Sequence, residues 1–254
     1  MAEASEERPR RVVKRASLEV ALIAVNAALY AAVGLLTYLG LFAPVFGTVR
    51  FWPAVVVPAV FSVLFTPWIG GVGAAIGIFI SDMLVHGNPL LSLSVGVPSN
   101  FLGFYILGRL ARSRRRTWAA SLGVQAIPLA AAGLLYRFGL VEEVVAYVFL
   151  AVAAAVFLLG AYLALSKPRY SNLLYASAAG LMVGSAVIGV GLWAFSQFFL
   201  LPTGESSAPI VAALVWFLWT YLTEIPFLAF LLPPIVYAVA KAMPERVREV
   251  IPAE

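Results

Sequence analysis

Two carboxylates interrupt apolar runs in this sequence: Asp82 in IGIFISDMLVH and Glu224 in VWFLWTYLTEIPFLAF. An ionisable side chain inside a membrane span costs about 2.5–3.5 kcal/mol on insertion scales, so each asks for a ligand, a proton or a partner. Around Glu224 the residues Trp216, Trp219, Thr220, Thr223 and Glu224 fall at i, i+3, i+4, i+7 and i+8, one face of one helix. Aromatic planes beside hydroxyls and a carboxylate make a wall for a ring-bearing ligand with a polar tip. The plainer alternatives are an interfacial aromatic belt, which suits Trp216 better than Trp219, and a structural ion pair for Glu224. Trp193, Ser196 and Gln197 share a face of another segment, as do Phe79, Asp82 and His86, with simple interface exposure the plainer account of Asp82. Asn100 sits mid-segment, and Arg50, just before Phe51-Trp52-Pro53, is the one cation at the outer start of its segment. Polar and aromatic groups thus gather in the outer half of four segments, which predicts a binding site open to the outside.

Other chemistry is excluded by what the chain lacks. With no Cys there is no disulfide, thiolate metal site or cysteine nucleophile. A single His, His86, makes a histidine metal cage or a serine triad untenable, and intramembrane aspartyl proteolysis would need a second membrane aspartate. Gly70-Gly71-Val72-Gly73 is followed by no GK[ST], so it is no phosphate loop, and Glu142-Glu143 reads as a solvated turn. The chain therefore reads as a non-enzyme with no metal and no cofactor of its own.

The elements that must hold these residues are membrane helices. Of the 254 residues 63% are apolar and only 11% charged, against about 25% charged in soluble domains. A soluble enzyme, a disordered chain and a nucleic-acid-binding domain are excluded on that count. Apolar segments at 17–42, 49–66, 69–86, 91–111, 117–136, 144–165, 172–200 and 209–240 approach the roughly 20 residues a span requires. They run as continuous apolar stretches rather than alternating ones, so helices are predicted and barrel strands are not. With eight spans and the N-terminus inside, every one of the 17 Lys and Arg except Arg50 and Arg137 falls on the inner side. That matches the positive-inside rule and makes the basic balance topological, with no nucleic acid implied. The expectation is one all-α polytopic transmembrane domain, 1–254, in the cell membrane. Both termini are cytoplasmic, with tails at 1–16 and 244–254.

Small residues add a second pattern. Ala24, Ala28 and Ala32 repeat every four residues on the first segment, with Ala27 and Ala31 on the adjacent row. Such rows let helices approach closely, within the bundle or against a partner. Gly73 and Gly77, and Gly180 and Gly184, read as internal packing.

The stretch VRFWPAVVVPAVFSVLFTPWIGGVGAAIGIFISDMLVHGNPLLSLSVGVPSNFLGFYILG, with the Ala-rich first segment and the closing GLMVGSAVIGVGLWAFSQFF and VWFLWTYLTEIPFLAFLLPPIVYAVAK, resembles a known family. It is similar to the S components, the substrate-binding membrane subunits of energy-coupling factor vitamin transporters. The resemblance covers 17–111 and 172–243 and implies a six-helix core. Residues 112–171 would then be an inserted helix pair. It further implies capture of a vitamin or related micronutrient from outside, and delivery through a transmembrane coupling subunit with two cytoplasmic ATPases, which would be the users of ATP. In that family an Ala-x-x-x-Ala row on the first helix meets the coupling subunit, a role that falls here on Ala24, Ala28 and Ala32. Ligand contacts in the family come from outer loops and the last helices. The competing class is a stand-alone secondary transporter with Glu224 or Asp82 as its proton or cation site, and a third is a membrane scaffold.

Overall fold

The computed structural model describes residues 3–41, 45–46, 49–50, 52–113 and 118–242; the side chains of 3–15, 40–50, 169 and 240 lie outside that description. Among the described residues the regular structure is helical but for one two-residue antiparallel pairing. Helix α1 (Glu3–Leu36) ends in a π turn (Thr37–Leu41), and β1 (Val45–Phe46) pairs with β2 (Val49–Arg50). A 3-10 turn (Pro53–Val55) leads into α2 (Val56–Leu64), followed by α3 (Pro67–Val85). Helix α4 (Pro89–Leu91) runs through a π turn (Ser92–Gly96) into α5 (Val97–Ala111). Then come α6 (Trp118–Arg137), α7 (Glu143–Ser166), α8 (Ser171–Ser196) and α9 (Val211–Ala242).

Seven of these stretches are long and apolar enough to cross a membrane, so the chain is a multi-pass helical membrane bundle. The eighth expected full-length span, 49–66, is helical only over Pro53–Leu64. The reason is local. β2 occupies the start of the segment, Pro53 fixes where the helix begins, and Pro67 keeps Thr66 extended (φ −144°, ψ 154°). That short helix still joins opposite ends of the bundle. A Cβ on Gly34 would strike Trp52 before α2, whereas Ser62, Val63 and Phe65 at the end of α2 meet Arg112.

Caps set the helix ends. Thr66 Oγ1 accepts the Ile69 N–H at 3.1 Å and Asn88 Oδ1 accepts the Leu91 N–H at 3.0 Å, each with proline at the next position. Gly87 closes α3 at φ +64°, its N–H reaching back to Asp82 O. At the opposite end the Arg112 guanidinium donates to Ser62 O (2.8 Å), Val63 O (3.2 Å), Phe65 O (2.8 Å) and Gly108 O (2.7 Å). A charge counted as topological is thus also a clamp on the carbonyl ends of α2 and α5.

Close approach rests on glycine and one amide. Gly73 leaves room for Asn26, whose Nδ2 donates to Ile69 O (3.0 Å) and Gly70 O (3.2 Å), locking α1 to α3. Gly103 on α5 meets Gly180 and Gly184 on α8 backbone to backbone. Helices α6 and α7 form a hairpin, with Gly160 against Gln125, and this pair packs on α8 and α9, whereas α1 packs on α2 and α3. The adjacent row Ala27 and Ala31 is the buried one; Ala24, Ala28 and Ala32 are exposed on the outside of the bundle.

Candidate ligand-binding cavity

A cavity of about 860 Å³, counting space open to solvent, lies between α1, α3, α4–α5, α8 and α9, beside Trp52. The wall is mostly apolar, its aliphatic part formed by residues such as Ile78, Val95, Leu107, Leu181, Ile188 and Leu228. One side is aromatic: Tyr30 meets Trp52 and Phe104 edge-on, at ring separations of 6.2 and 6.1 Å. The α5–α8 glycine crossing supplies Gly103 and Gly184 to the lining, so close backbone contact on one side leaves width on the other.

The polar lining residues fall into three groups. Asn100 Oδ1 accepts the Tyr30 hydroxyl at 2.6 Å while its Nδ2 donates to Gly96 O at 2.9 Å, which holds the amide in one orientation. At the α3 C-terminal end, Asp82 is 5% exposed, so interface exposure does not account for it. Its Oδ2 accepts Ser92 Oγ–H at 2.7 Å, and Oδ1 lies 3.4 Å from His86 Nε2. His86 Nδ1 accepts the Asn88 N–H at 3.1 Å, which leaves its hydrogen on Nε2, facing Asp82. Serine therefore bonds the carboxylate and not the imidazole, and no nucleophile-base pair forms.

The third group lies deepest. Glu224 is 6% exposed, and among the described residues its carboxyl makes no hydrogen bond or ion pair. Ser185 Oγ, fully buried on α8, has no partner either. Thr220, one turn from Glu224, spends its hydroxyl on Trp216 O at 2.8 Å. A buried polar group left unsatisfied costs about 1–3 kcal/mol, so Glu224 and Ser185 hold unspent binding capacity. No group of three His, Asp or Glu among the described residues is placed to hold a metal ion.

Of the expected site residues, Asp82, His86, Asn100, Thr220 and Glu224 line this one cavity. Four others do not. Trp216 is sealed in an apolar cluster with Leu91, Leu192, Phe195, Leu201 and Ala208. Trp219 and Trp193 pack against that cluster. Gln197 is exposed and clasps the loop before α9, donating to Ala208 O at 3.0 Å and Trp193 O at 3.1 Å. The helix row 216, 220, 224, 228 does face inward, but its first turn plugs the end of the cavity, and the 219 and 223 row turns aside. The Arg50 side chain lies outside the described residues; its backbone pairs with Val45.

Tyr30, Trp52, Ser99, Phe104 and Ser185 line the cavity without having been singled out. For Ser185 a signal existed: it follows Gly184 in the small-residue row, where a mid-span hydroxyl has no lipid-facing role. No family model, curated protein or solved structure matches this chain.

Proposed function

We propose that this chain is the substrate-capture subunit of an ATP-driven micronutrient importer in the cell membrane, of the energy-coupling factor S-component kind. The observation that carries the proposal is the interhelical cavity, largely apolar, with Glu224 and Ser185 unsatisfied in its wall. A capture protein would spend the Glu224 carboxyl, which lines the cavity, on its ligand. The exposed row Ala24, Ala28 and Ala32 adds support, because it offers a smooth strip for close approach of a coupling subunit. The α6–α7 hairpin packs on α8 and α9, away from that strip, so the six-plus-two arrangement leaves it clear. Both termini then lie in the cytoplasm with the basic loops.

The test is purification of the tagged chain from its native membrane. A complex with a coupling subunit and two ATPases, carrying a small molecule identifiable by mass spectrometry, is the expected result. The unpaired Glu224 carboxyl also favours a second reading, a secondary transporter that moves a proton or cation through that group. Ion-coupled uptake by the lone chain in proteoliposomes, without ATPase subunits, would establish that reading and displace the first.

A further inference from the structure

The cavity's lining also constrains the charge of its occupant, an inference that rests on the capture reading above. Its titratable lining residues are Tyr30, Asp82, His86 and Glu224; among the described residues no Lys or Arg reaches it. The two acids differ in what they already hold. Asp82 accepts the Ser92 hydroxyl and faces His86, so it is anchored at one end of the cavity. Glu224 accepts nothing from the protein, and the nearest hydroxyl on its own helix, Thr220, points its hydrogen to Trp216 O. Ser185 on α8 adds a second unpartnered oxygen in the same wall.

We propose that the occupant is a small organic base, a ring-bearing molecule whose protonated or N–H-rich nitrogen pairs with Glu224. The rest of the lining suits such a molecule. Tyr30, Trp52 and Phe104 present a cluster of rings, and ring faces attract a cation while an aliphatic wall takes the apolar body. An organic acid or phosphate ester meets the opposite: two carboxyl groups, no cationic anchor among the described residues, and desolvation in a mostly apolar space. Specificity here comes as much from rejecting anions as from holding the base.

The test uses matched probes on the purified full chain in detergent micelles at neutral pH. Phenethylamine and benzamidine are the bases; 3-phenylpropionate and benzoate carry the same ring on an acid. Binding is read by calorimetry, with displacement from the wild-type cavity confirmed through quenching of the tryptophan fluorescence. The expected result is saturable binding of the bases at least about tenfold tighter than of the acids. Glu224→Gln, the same size without the charge, should erase that preference, and Ser185→Ala should reduce it. Both variants are first checked for monodisperse elution, and Glu224→Met, similar in size and apolar, replaces Glu224→Gln if the latter does not fold. Acids binding as tightly as bases, no saturable binding of the bases, or a base preference unchanged in Glu224→Gln would each overturn the proposal. So would acid binding that Arg50→Ala abolishes, because the anchor would then be a cation. Failure of the charge assignment is separable from failure of the capture reading: an anion found bound to the native complex leaves capture standing and removes the organic base.

Discussion

Replacing Gly180 with alanine tests the helix crossing on which the cavity depends. A Cβ at this position would lie 2.6 Å from Gly103 O, 2.7 Å from Leu107 Cβ and 2.9 Å from Leu107 N. Ordinary contact begins near 3.4 Å, so α5 and α8 must part by about 0.8 Å at the crossing. All three obstacles are backbone or the root of a side chain, and rotamer changes cannot relieve them. Overpacking of this kind costs about 1–3 kcal/mol. At roughly 2–4 °C per kcal/mol for a chain of this size, thermal unfolding in detergent should come several degrees earlier. The matched control is Gly123→Ala on α6, where an added Cβ meets nothing within 4 Å. There alanine should gain about 0.5–1 kcal/mol of helix propensity and raise the midpoint. Because Gly103 and Gly184 line the cavity beside this crossing, Gly180→Ala should also change the affinity of whatever ligand the chain carries. Equal midpoints for the two variants, or a more stable Gly180→Ala, would refute the crossing geometry and with it the shape of the site.

Three further outcomes are expected. Arg112→Ala removes a charged donor from four carbonyls, and at about 1.5–3 kcal/mol for bonds to a charged group it should destabilise far more than Arg109→Ala, whose side chain is exposed; chemical denaturation of both compares them. Ala28→Trp should block assembly with a coupling subunit in pull-downs while leaving folding and ligand binding by the isolated chain intact, because Ala28 is exposed on the bundle's outer surface. The chain has no native Cys, so single cysteines at Glu142 and Glu205 should react with an impermeant maleimide on intact cells, and one at Lys167 should react only after lysis.

Helix class and the approximate span limits were legible because they depend on apolar run length and on proline and glycine, which act locally. Span 49–66 was overestimated for the same reason: its composition is apolar throughout, yet backbone pairing at Val49–Arg50 and prolines at 53 and 67 shorten the helix. Within the site, Asp82, His86, Asn100, Thr220 and Glu224 stood out because a polar residue in an apolar run is conspicuous in sequence. Tyr30 and Phe104 did not, since an aromatic residue in a membrane helix looks the same whether it faces lipid, core or cavity. Trp219 and Gln197 show the converse limit. Their spacing placed them on the right helices, but whether a neighbouring row faces a cavity or a packed cluster depends on where the adjoining helix crosses. For Trp219 that crossing runs over Gly189 of α8, where an added Cβ would meet Ala213 O and Phe217 of α9.

The π turn at Ser92–Gly96 bears on the shape of the wall in a further way. Cavity residues on this rod recur at Leu91, Val95, Ser99, Gly103 and Leu107, with Gly96, Asn100 and Phe104 on the adjoining row. In a pure α-helix each such step overshoots a full turn by about 40°, so a column this long would spiral out of the cavity before its end. A π turn, closed by an i→i+5 bond, takes more residues per revolution and winds part of that drift back. The two rows together therefore stay against the cavity along the length of the helix. Deleting one residue from 92–96 would restore α winding and rotate Pro89–Leu91 by about 100°, the angle per residue of the α-helix. Leu91 would swing away from the cavity, and the Asn88 cap that ends the Asp82–His86 corner would turn with it.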